Sequence, residues 1–157
     1  MEILKLILAS ISAVLMLSVA LASNYERSDF NYRSYKSKSA IGFYTKKSCD
    51  FINIDHVVSL KDAFESGASA WSVARKKGFA NDRFNHVPSC GRVNSSKGSE
   101  GPSDFLRRSR DGRGLDYKIV DFCQYVQKYH AVKVKYELSF QENNNQIFES
   151  CGIFLNR

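Results

Sequence analysis

The sequence predicts an α+β domain: a short antiparallel hairpin plus a helix, surrounded by further helices and stapled by disulfides. Three observations carry this. Two short strand candidates, at 51–54 and 85–90, are separated by a stretch of helical character. A long apolar stripe at three- and four-residue steps runs through 116–138. Four cysteines, Cys49, Cys90, Cys123 and Cys151, follow an export-type leader, and an even count in an exported chain suits two disulfides.

The leader comes first. In residues 1–22, Lys5 precedes an apolar run broken only by small serines, and Ala20-Leu21-Ala22 has the small-x-small form of a signal-peptidase site. A signal peptide over 1–22 is therefore expected, with an uncleaved anchor as the alternative. Removing 22 residues from 157 leaves a mature chain of 135, enough for one domain. The expected location is secreted or periplasmic, with no stable membrane association once the leader is cut.

Composition narrows the class. With 43% hydrophobic and 13% aromatic residues the chain can bury a core, so wholesale disorder is excluded. Two Pro and nine Gly exclude collagen-like or Pro-rich sequence. No internal repeat is present. Lys and Arg number 23 against 16 Asp and Glu, a net charge of +7, and only Glu2 and Lys5 leave with the leader. Such a surface attracts polyanions, and nucleic acid is the expected partner; solubility alone also accounts for the charge.

The elements then follow in order. Residues 23–48 are basic and Tyr-rich, and read as an N-terminal arm with a few aromatics docked on the body; interleaved cations and rings also suit a nucleic-acid strand. The body is expected over 49–157. Ser59 is placed to cap a helix over 60–66, and Gly67 and Gly78 are expected to break the helical stretch 59–81. Trp71 is expected in the core. After the second strand, Gly91 makes a turn into a short helix over 93–97. A short helix from Pro102 to Arg107 precedes a basic loop with Arg107, Arg108, Arg110 and Arg113. In the long helix, Ile119, Phe122, Val126, Tyr129, Val132 and Tyr136 form the stripe, with Asp116 as N-cap. The tail, 141–157, is expected to fold a short helix back onto it.

The chemistry centres on Asp55-His56. An Asp-His pair arises by chance, so its surroundings carry the weight. His56 ends one strand candidate, Asn85 begins the next, and Asn94, Ser96 and Lys97 lie on the helix that follows. Hydrolysing a phosphodiester needs a base to deprotonate water and a cation to neutralise phosphoryl charge. Neutral imidazole suits the first task, and Asp and Asn oxygens suit hard Mg²⁺.

The stretches DHVVSLKDAFESGASAW, FANDRFNHV and VNSSKGSEGPSDFL together resemble secreted HNH-type endonucleases of the His-Me finger (ββα-metal) class. CQYVQKYHAVKVKYELS is similar to the region that follows the finger in bacterial members, so the resemblance spans 54–139. It implies an endonuclease of little sequence specificity, using one divalent metal, commonly Mg²⁺, and leaving a 5′-phosphate, with DNA favoured over RNA. By position it implies His56 as general base, Asp55 and Asn94 as metal ligands, and Asn85 as the brace that orients His56. Lys97 is implied to steady a phosphate. Arg92, Lys97, Arg107, Arg108 and Arg110 are the expected nucleic-acid contacts. The chain departs from the pattern at Ser59, where Pro is usual, at His86, where an aliphatic residue is common, and at Phe105 and Tyr129, which replace tryptophans. His86 and His130 are expected to be structural.

Four cysteines allow three connectivities. An antiparallel hairpin holding His56 near Asn85 brings the residues before the first strand close to the end of the second. This favours Cys49–Cys90, and an antiparallel tail favours Cys123–Cys151.

Three other functions compete with this one. A non-catalytic nucleic-acid or polyanion-binding protein on the same frame is the main alternative. A membrane-active cationic protein lacks a helix with the required Lys/Arg face. A Cys-His hydrolase is disfavoured because the cysteines are better explained as paired.

Overall fold

The computed structural model describes residues 24–105 and 118–155. The leader, Arg107, Arg108, Arg110, Arg113 and Asp116 lie outside them. Among the described residues the fold is α+β with one two-stranded antiparallel sheet. Strand β1, Ile52–His56, pairs with β2, His86–Cys90, so that Ile52 faces Cys90 and His56 faces His86. The register is one residue from the expected one. Asn85 belongs to a 3-10 turn, Arg83–Asn85, and its side chain is engaged elsewhere, so His86 begins the strand.

The long connection between the strands folds into two helices. Helix α1, Leu60–Glu65, is capped by Ser59, whose hydroxyl accepts from the Asp62 N–H at 3.0 Å. Helix α2, Val73–Asn81, is capped in the same way by Ser72. Gly78 lies inside α2 and does not break it, because α2 gains its stability from burying Phe79 and Ala80. Trp71, expected in the core, is half-buried at its edge and packs edge-on against Phe79 at 5.6 Å.

Helix α3, Gly91–Lys97, follows β2 directly. Gly98 ends it in the left-handed region at φ 56°, where glycine is favoured, and donates to the Asn94 carbonyl. Residues 102–105 form a further helical turn. Helix α4, Phe122–Tyr136, starts later than the expected 116, since Asp121 caps it through the Gln124 N–H. It buries Tyr125, Val126, Tyr129 and Val132. Helix α5, Asn145–Glu149, buries Phe148 against α4.

Disulfides join Cys49 to Cys90 and Cys123 to Cys151, as the hairpin and the tail favoured. The first ties the segment before β1 to the end of β2, and the second fastens the tail to the start of α4.

The segment 24–48 departs most from expectation. Phe30 and Tyr44 are buried at 0% and 1% exposure in the same core as Val57, Phe79 and Tyr125. Asn81 clamps the segment with two bonds, from its amide to the Asn31 carbonyl and from the Arg33 N–H to its Oδ1. The Phe43 N–H donates to the Pro88 carbonyl on β2. The segment is packed into the domain more deeply than docking alone requires: Phe30 and Tyr44 lie within the core, while Tyr25, Tyr32 and Phe43 rest partly buried against it, as expected of docked aromatics.

Candidate functional site

His56 stands at the end of β1 with 6% exposure. Its Nε2 is 2.8 Å from the Ala80 carbonyl, and Nε2 of His86 is 3.0 Å from the same oxygen. Ala80 lies in the last turn of α2, where carbonyls lack helical partners. A carbonyl only accepts, so both imidazoles carry their proton on Nε2. The Nδ1 of His86 then accepts from the Tyr35 hydroxyl at 3.1 Å, which makes His86 a structural residue, while Nδ1 of His56 keeps its lone pair. Tyr32 packs edge-on to His56 at 4.6 Å, as does His86. His130 stacks on Phe140, away from this site.

Asp55 is 6% exposed. The Tyr44 hydroxyl donates to its Oδ2 at 2.6 Å, and the Lys97 ammonium lies 3.3 Å from the same oxygen. Burial raises the Asp55 carboxyl above its usual range, opposed by Lys97 and Tyr44.

Lys97 differs from its expected role. It is fully buried, and its Nζ donates to the His56 carbonyl at 2.9 Å besides pairing with Asp55. A side chain so placed meets no phosphate; it holds Asp55 and the His56 backbone together. Asn85 is also fully buried. Its Oδ1 accepts from the Val58 N–H and its Nδ2 donates to the Val58 carbonyl, both at 2.9 Å. It fixes the chain immediately after His56 and makes no contact with open space. Arg92 is exposed on α3 and does not line the cavity described next.

A cavity of about 360 Å³ brings His56, Asp55 and Asn94 together, walled by Ser59, Ser99 and Arg27. Ser59 donates to the Ser99 carbonyl at 3.1 Å and closes this wall. Among the described residues the Asn94 amide has no hydrogen-bond partner, and no cluster of three or more His, Cys, Asp or Glu side chains is placed to hold a metal. The Lys97 ammonium lies 3.4 Å from Oδ1 of Asp55 and 3.3 Å from Oδ2, so an ion here would share the carboxylate with Lys97 and take an amide oxygen and water besides, the kind of set in which Mg²⁺ keeps several waters.

Sequence reasoning missed Tyr44, the Ala80 carbonyl and Arg27. The interleaved tyrosines and cations of the arm are the available signal for the first and the third; a backbone carbonyl leaves none.

Burial takes the His56 imidazole down to about 3, with the Ala80 bond acting in the opposite sense. Free histidine titrates near 6.5. The folded state binds fewer protons than the unfolded one between these values, so stability from His56 is complete above pH 6.5 and is lost as pH falls toward 3. From His56 alone, about 2 kcal/mol should disappear between pH 6.5 and 5. Urea melts in EDTA across that range check this: His56→Asn should flatten the slope, leaving the smaller part due to His86, whose imidazole burial also lowers.

The chain is 32% identical over 90 residues, 56% of its length, to a protein of Arthroderma benhamiae described as an uncharacterized secreted protein. The match covers 40% of that relative, so the chain spans less than half its length. No protein-family model matches the chain, and no solved structure matches it. Among the described residues no helix is long and apolar enough to cross a membrane. The secreted location expected from the leader agrees with this relative: the chain is a secreted, disulfide-bonded α+β protein.

Proposed function

We propose that the chain is a secreted, metal-dependent endonuclease of the His-Me finger (ββα-metal) class that hydrolyses phosphodiester bonds, DNA before RNA. The single observation that carries this is the convergence of His56, Asp55 and Asn94 on one cavity from β1 and α3, two elements of a strand-strand-helix unit.

His56 takes the role of general base. Its Nε2–H is held by Ala80, so Nδ1 is the atom that accepts a proton from water. The ring is neutral at pH 7, and a phosphodiester bound beside it favours the imidazolium that proton transfer creates. Asn85 and Lys97 are positioning residues: Lys97 holds the carbonyl of the base itself and Asn85 the backbone two residues after it. Tyr44 and Lys97 orient the Asp55 carboxylate. Asp55 and Asn94 would hold Mg²⁺, which when bound supplies positive charge to the phosphoryl oxygens and the leaving oxygen.

Digestion of plasmid DNA tests the reading. Cleavage in Mg²⁺ should stop on adding EDTA and return with excess Mg²⁺, and Asp55→Asn with Asn94→Ala should raise the Mg²⁺ concentration needed for half-maximal rate. DNA retention without cleavage under any divalent metal would replace this reading with the non-catalytic polyanion-binding one, which the charge of +7 alone supports.

A further inference from the structure

With Lys97 buried against Asp55, any side-chain cation that meets a substrate phosphate comes from another residue of the cavity. Two cations line it, Arg27 and Lys61. Lys61 lies 3.5 Å from Glu65, its i,i+4 neighbour, which balances its charge. Among the described residues no carboxylate pairs with Arg27, and its charge is felt at the Tyr25 hydroxyl and at His56.

Arg27 is also held in place. It opens a 3-10 turn, Arg27–Phe30, whose last residue is completely buried and packs edge-on against Phe79 at 6.3 Å. Asp29 in the same turn lies 3.4 Å from the Lys76 ammonium, and Asn31 just beyond it is tied to Asn81 on α2. The turn is thus anchored on three sides while the Arg27 side chain stays exposed at the cavity mouth. An arginine so presented offers two parallel N–H donors to two oxygens of one phosphate.

We propose that Arg27, delivered by the N-terminal segment, is the phosphodiester-binding residue of this cavity and holds the scissile phosphate against His56. The inference deepens the endonuclease reading and rests on it for the word scissile; the binding itself does not depend on cleavage. The docked segment then has a functional reason to be integral: without it the cavity loses both a wall and its unpaired cation.

The test separates binding from chemistry. The dinucleoside monophosphate dTpdT is titrated by NMR into the mature protein in EDTA at fixed ionic strength, for wild type, Arg27→Gln, Arg27→Lys and Lys77→Gln, an exposed charge-matched control on α2. Arg27→Gln should weaken dTpdT about 10- to 100-fold, the value of one or two charge-assisted hydrogen bonds. Arg27→Lys should recover part of this, since it keeps the charge and loses the fork, and Lys77→Gln should bind as wild type. Equal affinity in Arg27→Gln and wild type, or no measurable dTpdT binding by wild type, would overturn the proposal. DNA cleavage by the same wild-type sample in Mg²⁺ is scored separately. A wild type that binds dTpdT through Arg27 and never cleaves sinks the endonuclease reading and keeps the phosphodiester site. A wild type that cleaves while Arg27→Gln binds and cleaves equally well sinks the Arg27 assignment alone.

Discussion

His56→Ala lowers the rate of DNA cleavage by about 10²- to 10⁴-fold, the usual contribution of a positioned general base. DNA retention in EDTA stays close to wild type, because Arg27, which carries the phosphate contact, is untouched. The expected loss belongs to a single atom, Nδ1, since Ala80 occupies the other ring nitrogen. His86→Ala is the instructive comparison. It removes an imidazole from the same carbonyl and from the Tyr35 hydroxyl, and lets the His56 ring tilt, but leaves the proton acceptor in place. It should therefore cost less than His56→Ala. The pH profile gives a second readout. With the His56 imidazole down at about 3, wild-type kcat/KM should show no acid limb centred near 6.5 in the absence of other titrating groups. Single-turnover cleavage with saturating Mg²⁺, from pH 8 to pH 5, measures both. Full activity in the alanine variant removes His56 from the mechanism, and with it the proposed class.

Much of this site was legible because its parts lie on regular elements with short-range signals. The serine before Leu60 announced α1, and the Val, Phe and Tyr stripe announced α4. Antiparallel pairing alone brought Cys49 to Cys90. What sequence concealed was the direction of side chains and the fate of the arm. Lys97 looked like a surface cation, yet it stands four residues after Val93, which is buried on α3, and positions four apart share a helix face. That spacing held the correct answer, and the usual exposure of lysine argued against it. The arm reads as separate from the body because basic, Tyr-rich terminal segments often are. Phe30 and Tyr44 reverse that through contacts with α2, α4 and Asp55, partners distant in sequence that no local pattern specifies. The Ala80 carbonyl is invisible for another reason: every residue has one, and only the end of α2 beside the hairpin makes this one matter.

Lys97→Met should cost about 3–5 kcal/mol of stability, the expected penalty for removing one partner of a buried ion pair. The ammonium is wholly shielded from water and has two partners, the Asp55 carboxylate and the His56 carbonyl. Methionine fills a similar volume, so the loss is chiefly electrostatic. It leaves a carboxylate at 6% exposure with the Tyr44 hydroxyl as its remaining support, and a carbonyl without its donor. Asp55, already raised by burial, rises further once the lysine is gone. A carboxyl whose folded value exceeds its unfolded one stabilises most where it is protonated in both states, and that stabilisation is lost as pH climbs through the folded value. The deficit of Lys97→Met relative to wild type should therefore shrink in mild acid and grow toward neutrality. A core defect of packing alone would show no such trend. The double variant Asp55→Asn, Lys97→Met supplies the decisive comparison in urea melts. Removing the stranded charge should recover part of the loss, giving a coupling energy of about 1–3 kcal/mol between the two positions. Additive single costs, or a Lys97→Met penalty below about 1 kcal/mol, would mean that the pair is incidental and that Asp55 is oriented by Tyr44 alone. In that event the link from α3 to the backbone of His56 loses its energetic basis, and the base would depend on Asn85 and Ala80 for its placement.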